Sequence, residues 1–502
     1  MTPTKIKYLA AVMSLSAFLT ASATDVSVPT PGTLEKIMAD NSQDPAALTQ
    51  LTVTGAINAA DLYFLGRNAT ALKDLDLSKT TISAYSGDKS INGLKDYAAA
   101  LIPPGAFAGT NLETIKLPAE KTTIGAMAFA SSALKQLPDL TYVTSIDDGA
   151  FSGCTGLTTI TYPAGIETGR YVFSGSALKE VLFTSATAIP AGTFKDCTAL
   201  AAVTGSDKIN AVGDDAFNGC TSLSQFTFGP ALTTIGRSAF YRSALSELDL
   251  NSCGTLKKID DFAFSANEAL TCAYLENTNP EIGAGIFFDD TALTEVRLPD
   301  SMKDLTLYLF KNTPALRLDK LPESLRYISE YSLLGNKAIT ELKLPSAVYY
   351  IGDAAMEGMT GLTKIDAGSV TKVPMLGNDV WKGVNQPAVL LVVPDANVND
   401  YRDASQWCEF NINTVTGTES IESDITPRPA VKARFEGNTL VIQATAVNIS
   451  DVSLTDISGR LLLNRSIEDD NARIDTSEFN NPYFIVTVTL RNGIRTSLKL
   501  KR

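Results

Sequence analysis

Between about residue 100 and residue 385 the chain repeats one short phrase twelve times. Its most regular letter is a phenylalanine, or a stand-in, after an Ile-Gly or Ile-Asp step: Ile102-Pro-Pro-Gly-Ala-Phe107, Ile124-Gly-Ala-Met-Ala-Phe129, Ile146-Asp-Asp-Gly-Ala-Phe151. The column continues through Phe173, Phe194, Phe217, Phe240, Phe264, Phe287, Phe310, Leu333 and Met356. Successive members lie 21 to 24 residues apart, most often 23. A unit this short cannot bury its apolar face alone, so a fixed period in this range marks a solenoid whose coils bury one another.

Each unit also carries a strand phrase, such as Leu112-Glu-Thr-Ile115-Lys-Leu117-Pro118 or Leu293-Thr-Glu-Val296-Arg-Leu298-Pro299. Period-two alternation puts Ile115 and Leu117 inward and Thr114 and Lys116 outward, and the proline ends the strand because it cannot donate to a ladder. Stacking predicts a parallel sheet of one short strand per coil, with short helical turns and loops opposite. Asp148, Asp214, Asp261 and Asp353 stand three residues before the Phe column, where an N-cap would sit. A calcium ladder is the alternative, but Ala126, Arg170, Ala191 and Arg237 interrupt it. Three residues after the column comes a small, polar series that includes Ser132, Cys154, Cys197, Cys220, Asn267, Asp290 and Asn336. Such side chains suit a buried turn whose backbone groups need partners. Cys154, Cys197 and Cys220 read there as packed thiols, with a Cys197–Cys220 disulfide as the rival in an exported chain.

Absences narrow the chemistry. The chain contains no histidine, which removes the Ser-His-Asp and Cys-His arrangements and imidazole-bound zinc. The formal charge of −13 repels phosphate backbones, so nucleic acid is not an expected partner. No metal-like cluster of cysteines is present, and no cofactor is expected. Residues 1–23 read as a secretory signal peptide: Lys5 and Lys7, an apolar run from Leu9 to Leu19, then Ala21-Ser22-Ala23. The run is too short to span a bilayer. The mature chain is expected to be exported, at the cell surface or extracellular, with the periplasm as the alternative.

The remaining layout follows from the need to cover a solenoid's ends. Residues 24–100 read as an N-terminal cap and atypical first repeat, with a helix near Pro31–Ala39. Residues 101–413 form the repeat array with its C-terminal cap, closed by Trp407 and Phe410. Residues 414–430 form a polar linker, and 431–502 a small β-sandwich of short alternating runs.

The unit Leu-x-x-Ile-x-Leu-Pro…Ile-Gly-x-x-Ala-Phe-x-x-Cys resembles the BspA-like leucine-rich repeat family of bacterial surface proteins. The opening Leu51-Thr-Val-Thr-Gly55…Leu72-Lys-Asp-Leu75-Asp-Leu77-Ser78 and the closing Val392-Val-Pro-Asp-Ala-Asn-Val-Asn-Asp-Tyr401…Trp407 resemble its two caps. The resemblance implies a right-handed leucine-rich-repeat superhelix and a non-catalytic adhesion or binding role. Asp456-Ile-Ser-Gly-Arg460, Tyr483-Phe-Ile-Val-Thr-Val488 and Lys499-Leu-Lys501 are similar to type IX secretion sorting domains, although Asn481-Pro482 replaces the usual glycine.

Candidate binding residues are the outward letters of the strands: Glu247, Asp249, Glu295, Arg297, Glu341, Lys343, Lys364 and Asp366. A host or bacterial surface protein, or a glycan, is the expected partner of a monomeric chain. Stacked aromatics would favour a glycan, and Tyr274 and Trp381 are the hints. Two other readings stand beside this one: a structural or assembly subunit of the envelope, and a carboxylate-based glycoside hydrolase using a pair such as Glu247 and Glu295.

Overall fold

The computed structural model describes residues 23–416 and 431–502, apart from Asn92, Ala186, Ala446, Asn492 and Ile494. The signal-peptide reading of residues 1–22 and most of the linker lie outside the described residues. The chain folds as a parallel-sheet solenoid followed by antiparallel sheets, and divides into two compact units, Met1–Leu157 and Thr158–Arg502.

In the first unit the strands Ala23–Val28, Gln50–Ile57, Asp74–Ile82 and Thr114–Lys116 pair in parallel, in chain order. Helices α1 (Leu34–Asp40) and α2 (Ala59–Asn68) connect the early strands. One carboxylate ties both helix starts together. Asp61 accepts the backbone N–H groups of Gly32 (2.7 Å), Leu34 (2.9 Å) and Asn58 (2.9 Å), closing a capping box with Asn58 on α2. Helix α2 lies so close to the next coil that a Cβ on Gly66 would sit 1.8 Å from the Ala106 carbonyl.

The strand phrase forms the expected sheet. In the second unit its members are Thr159–Thr161, Glu180–Leu182 and Ala202–Thr204, then Glu247–Asp249, Cys272–Tyr274 and Glu295–Arg297, then Glu341–Lys343, Lys364–Asp366, Leu390–Val393 and Asn411–Thr414. The last of these reaches into the segment read as linker. A second parallel sheet, absent from the sequence reading, lines the Ile-Gly step of each coil, for example Thr234–Ile235, Lys258–Ile259 and Glu281–Ile282. Ile235 and Ile259 point inward and are buried, whereas Ile282 is half-buried.

The turn between the sheets is not helical. Residues two before and two after the Phe column take positive φ, as at Asp215 (56°) and Gly219 (76°), or Tyr308 (60°) and Asn312 (60°). Left-handed residues break a helix, and a bulky one costs about 1–2 kcal/mol. What the turn gains is hydrogen bonding between coils. Phe217 N–H donates to Ala239 O (2.8 Å), Asp215 N–H to Arg237 O (2.8 Å) and Gly219 N–H to Tyr241 O (2.9 Å), and the next coils repeat the set. This corrects the capping assignment. Asp214, Asp261 and Asp353 each accept a backbone N–H from the following coil, at Arg237, Ala284 and Asn378, all at 2.8 Å. They bridge coils instead of capping their own turn.

Inside the turn the phenyl rings stack. Within the first unit Phe107, Phe129 and Phe151 lie 5.6 and 5.4 Å apart, tilted by 6° and 7°. In the second, Phe194, Phe217, Phe240 and Phe264 are 5.2, 5.2 and 5.5 Å apart. The small polar column lies beside this stack and donates to it. Cys197 and Cys220 thiols reach Phe173 O and Phe194 O at 3.1 Å, and Asn336 Nδ2 reaches Phe310 O at 2.7 Å. The cysteines are free, and burial pushes the Cys197 thiol up to about 11, in keeping with its donor role.

Trp381, Tyr401, Trp407 and Phe410 cover the last coil, with Trp407 Nε1 donating to Pro374 O (2.9 Å). The C-terminal strands form two antiparallel sheets around Leu440, Ile442, Val452, Leu454, Phe484 and Val486. Lys499 joins this sandwich to the coils. Its ammonium donates to Tyr350 Oη (2.7 Å), lies 3.8 Å from Glu330 and sits over the rings of Tyr350 and Tyr483.

Two stability predictions follow from the turn. Phe240→Ala removes a ring stacked on both sides and should cost about 3–5 kcal/mol in denaturant unfolding; a loss under ~1 kcal/mol would mean that the stack is not the core. Asp290 is fully buried in the donor column, with Oδ1 accepting Asn267 N–H (2.7 Å) and Oδ2 unpartnered. Burial raises its pKa far above the carboxylate range, so the folded state keeps the proton longer than the unfolded one. Stability from this site is therefore present at low pH and lost as pH rises past the ordinary carboxylate pKa. Asp290→Asn restores the donor that Asn267 and Asn336 supply. It should stabilise the fold by about 1–3 kcal/mol, with a melting-temperature gain that grows from pH 4 to pH 8; a pH-independent difference would contradict this account.

Candidate functional site

The strand face places the predicted residues in two clusters. Parallel register sets Glu247, Cys272 and Glu295 in one row and Asp249, Tyr274 and Arg297 in the next. The inward residues Leu248, Ala273 and Val296 are buried, which holds the outward set in place. Farther along, Glu341 pairs in register with Lys364, and Lys343 with Asp366. The coil between the clusters, at 317–319, forms no regular strand. A depression of about 630 Å³ lies there, lined by Arg317, Asp319, Thr340 and Glu341 among others. A similar one of about 300 Å³ lies over Thr159–Thr161 and Glu180–Leu182.

Charge on this face is locally compensated. Arg297 contacts Glu295 through Nε (3.0 Å) and Nη2 (2.9 Å), reaches Glu276 at 3.8 Å and lies over the Tyr274 ring at 5.2 Å. Lys364 lies 3.6 Å from Glu341. The Cys272 side chain, two residues away on the same face, is the main influence that pushes the Tyr274 phenol up to about 12. Two predicted residues have structural work. Asp249 accepts Asn251 N–H (3.0 Å) and Asp366 accepts Gly368 N–H (2.9 Å), so each holds the turn that ends its strand. Glu247 and Lys343 are exposed and make no ion pair among the described residues.

Glu247 and Glu295 are two coils apart with Cys272 between them, on an open strand face and not across a cleft. Of the two aromatic hints, Tyr274 is half-exposed on this face, whereas Trp381 is buried in the C-terminal cap. The sequence reading missed a different aromatic group. Phe262, Phe288, Tyr308 and Tyr331 adjoin one another on the turn. Their signal was present in the positions beside the Phe column, but only the turn's left-handed residues show that these side chains leave the core.

This geometry separates supporting from free residues. Asp249→Ala should lower the melting temperature through loss of its turn bond, by about 1 kcal/mol, while Glu247→Ala should leave it unchanged. Thermal melts of both variants check the assignment, and equal effects would refute it.

The sequence profile of the BspA type leucine rich repeat region matches in six copies, over residues 98–200, 187–317 and 257–384. No curated protein matches the chain. Among solved structures, a leucine-rich repeat protein from Bacteroides ovatus is similar at 20% identity, covering 66% of this chain and 90% of its own, with a TM-score of 0.48. One from Eubacterium ventriosum is 18% identical, covering 64% and 90%, with a TM-score of 0.37. A leucine rich cell surface protein from Faecalibacterium prausnitzii is 17% identical, covering 68% and 82%, with a TM-score of 0.28. No helix among the described residues is long and apolar enough to cross a membrane. Because this repeat profile matches more than half of its length, the chain belongs to the BspA-type leucine-rich repeat family.

Proposed function

We propose that this chain is an exported, non-catalytic binding protein of the cell surface that holds a protein partner on its strand face. The observation that carries the reading is the outward strand rows themselves: an open face, rigidly backed by buried residues, on which mixed charges stand in register from coil to coil. A solenoid's extended sheet suits recognition of a large surface, because each coil adds one set of side chains without disturbing the core. The charges that vary between coils then set which partner fits. The amino-terminal signal-like segment supports export.

The test uses the full mature chain, immobilised and presented with purified extracellular-matrix and bacterial surface proteins and with a glycan array. A protein ligand is expected, and reversing charge at Glu247, Arg297 and Lys343 together should weaken it by about tenfold or more without changing the melting temperature. Binding indifferent to these substitutions would overturn the strand-face assignment. Retention of the chain in the periplasm, protected from protease on intact cells, would overturn the surface reading in favour of an envelope assembly role.

A further inference from the structure

The turn face carries a group of side chains that stacking does not require. Two residues before the Phe column the backbone is left-handed, and Gly192, Asp215, Ser238 and Ala354 satisfy that position in their coils. Where Asp215 stands, polar partners surround it: Lys195 at 3.2 Å and Asn218 at 2.6 Å. In the coils that follow, the same position instead holds Phe262 (φ 56°), Tyr308 (φ 60°) and Tyr331 (φ 58°). In the coil between those of Phe262 and Tyr308 the position is Gly285, which the Phe262 ring crowds most closely, with Phe288, one residue after its own column member, beside it.

These four rings run across four consecutive coils, about 15 Å at ordinary strand spacing. Phe262 and Phe288 meet edge-to-face at 6.2 Å, Phe288 and Tyr308 at 6.4 Å, and Tyr308 stacks on Tyr331 at 5.3 Å. All four are half-buried, so part of each ring faces solvent. Lys311 stands among them, its ammonium 5.4 Å from the Phe288 centroid, 5.1 Å from Tyr308 and 5.8 Å from Tyr331. Among the described residues Lys311 forms no ion pair, and the hydroxyls of Tyr308 and Tyr331 have no hydrogen-bond partner. Asp289, in the preceding turn, is engaged by Asn312 Nδ2 at 2.9 Å.

We propose that this aromatic ladder, with Lys311 at its centre, is a second binding site, separate from the strand face, for an acidic saccharide chain. The C–H face of a pyranose ring is weakly positive and packs on the negative face of an aromatic ring. Two free phenols and an ammonium supply donors to sugar hydroxyls and to one carboxylate. An open ridge spanning four coils suits a chain of sugar units; a single small molecule would need a concave pocket. The uncompensated lysine selects the acid. In a chain of net charge −13, long-range attraction does not explain anion binding, so the selection acts at contact distance.

The test is titration calorimetry of the full mature chain with oligogalacturonate and, as the neutral comparator, an oligogalactan of equal length. The uronate should bind about tenfold more tightly, the effect of one charge-assisted hydrogen bond. Lys311→Met should abolish that preference while leaving the neutral oligomer's affinity unchanged. Tyr308→Gly with Tyr331→Gly should weaken both ligands about tenfold. Glycine accepts the positive φ at these positions, and a melting curve verifies folding. Arg297→Glu on the strand face should alter neither affinity, which keeps this site's failure distinct from that of the protein-binding face. Absence of uronate binding at about millimolar concentration, equal affinity for the two oligomers, or a Lys311→Met variant that binds as before would overturn the proposal.

Discussion

The hydrogen bonding of the Phe-bearing turn from coil to coil is the constraint on which the rest of the structure depends. A buried turn must satisfy its own N–H and C=O groups, and a helix would satisfy them locally. Here they point along the stacking direction, so Phe217 N–H meets Ala239 O and Phe240 N–H meets Ala263 O, each at 2.8 Å. That orientation needs left-handed residues on both sides of the ring. It also places successive rings one coil apart, within stacking distance, so the backbone and the aromatic column enforce the same spacing.

The polar columns follow from the same geometry. Phe carbonyls beside the stack take donors from this column: the hydroxyls of Thr110 and Thr313 from three residues on in the same coil, and the thiols of Cys154, Cys197 and Cys220 and the amide of Asn336 from the following coil. Interchange of Cys, Ser, Thr and Asn in this column is therefore a matter of hydrogen-bond donation more than of size. Asp290 breaks the pattern because a carboxylate has no hydrogen to give, and burial raises its pKa well above the ordinary carboxylate value. The aspartates before the ring act in the opposite sense, accepting an N–H from the next coil that the left-handed turn leaves exposed.

Much of this was legible in the residue pattern. The period, the strand phrase, the inward identity of Ile115 and Leu117, and the aromatic closure by Trp407 and Phe410 all follow from spacing and hydropathy. The second sheet did not, because its two-residue strands are too short to show alternation. The role of Asp214 and Asp261 was misread because an aspartate before a turn has the same local signature whether it accepts from its own turn or from the next coil. The eight strand-face residues lie on the outward face of the strands, as alternation predicts, but spacing could not separate Asp249, which holds a turn, from Glu247, which makes no ion pair among the described residues.

The turn geometry also decides which letters are available for recognition. A residue in the core column or the donor column is committed to its neighbours, whereas outward strand positions that hold no turn, such as Glu247, are free to vary, and those flanking the ring vary within the strain that a positive φ imposes. The coil thus has two faces open to variation, one on the strands and one on the turn, joined by a core that neither perturbs. On the strands the variable letters are charged and compensate one another, as Arg297 does with Glu295. On the turn, over one stretch of four coils, they are aromatic and surround Lys311, which forms no ion pair among the described residues. Because both faces are read from the same repeating backbone, a change on one leaves the geometry of the other intact, and a chain of this kind can carry two independent recognition surfaces on a single stack.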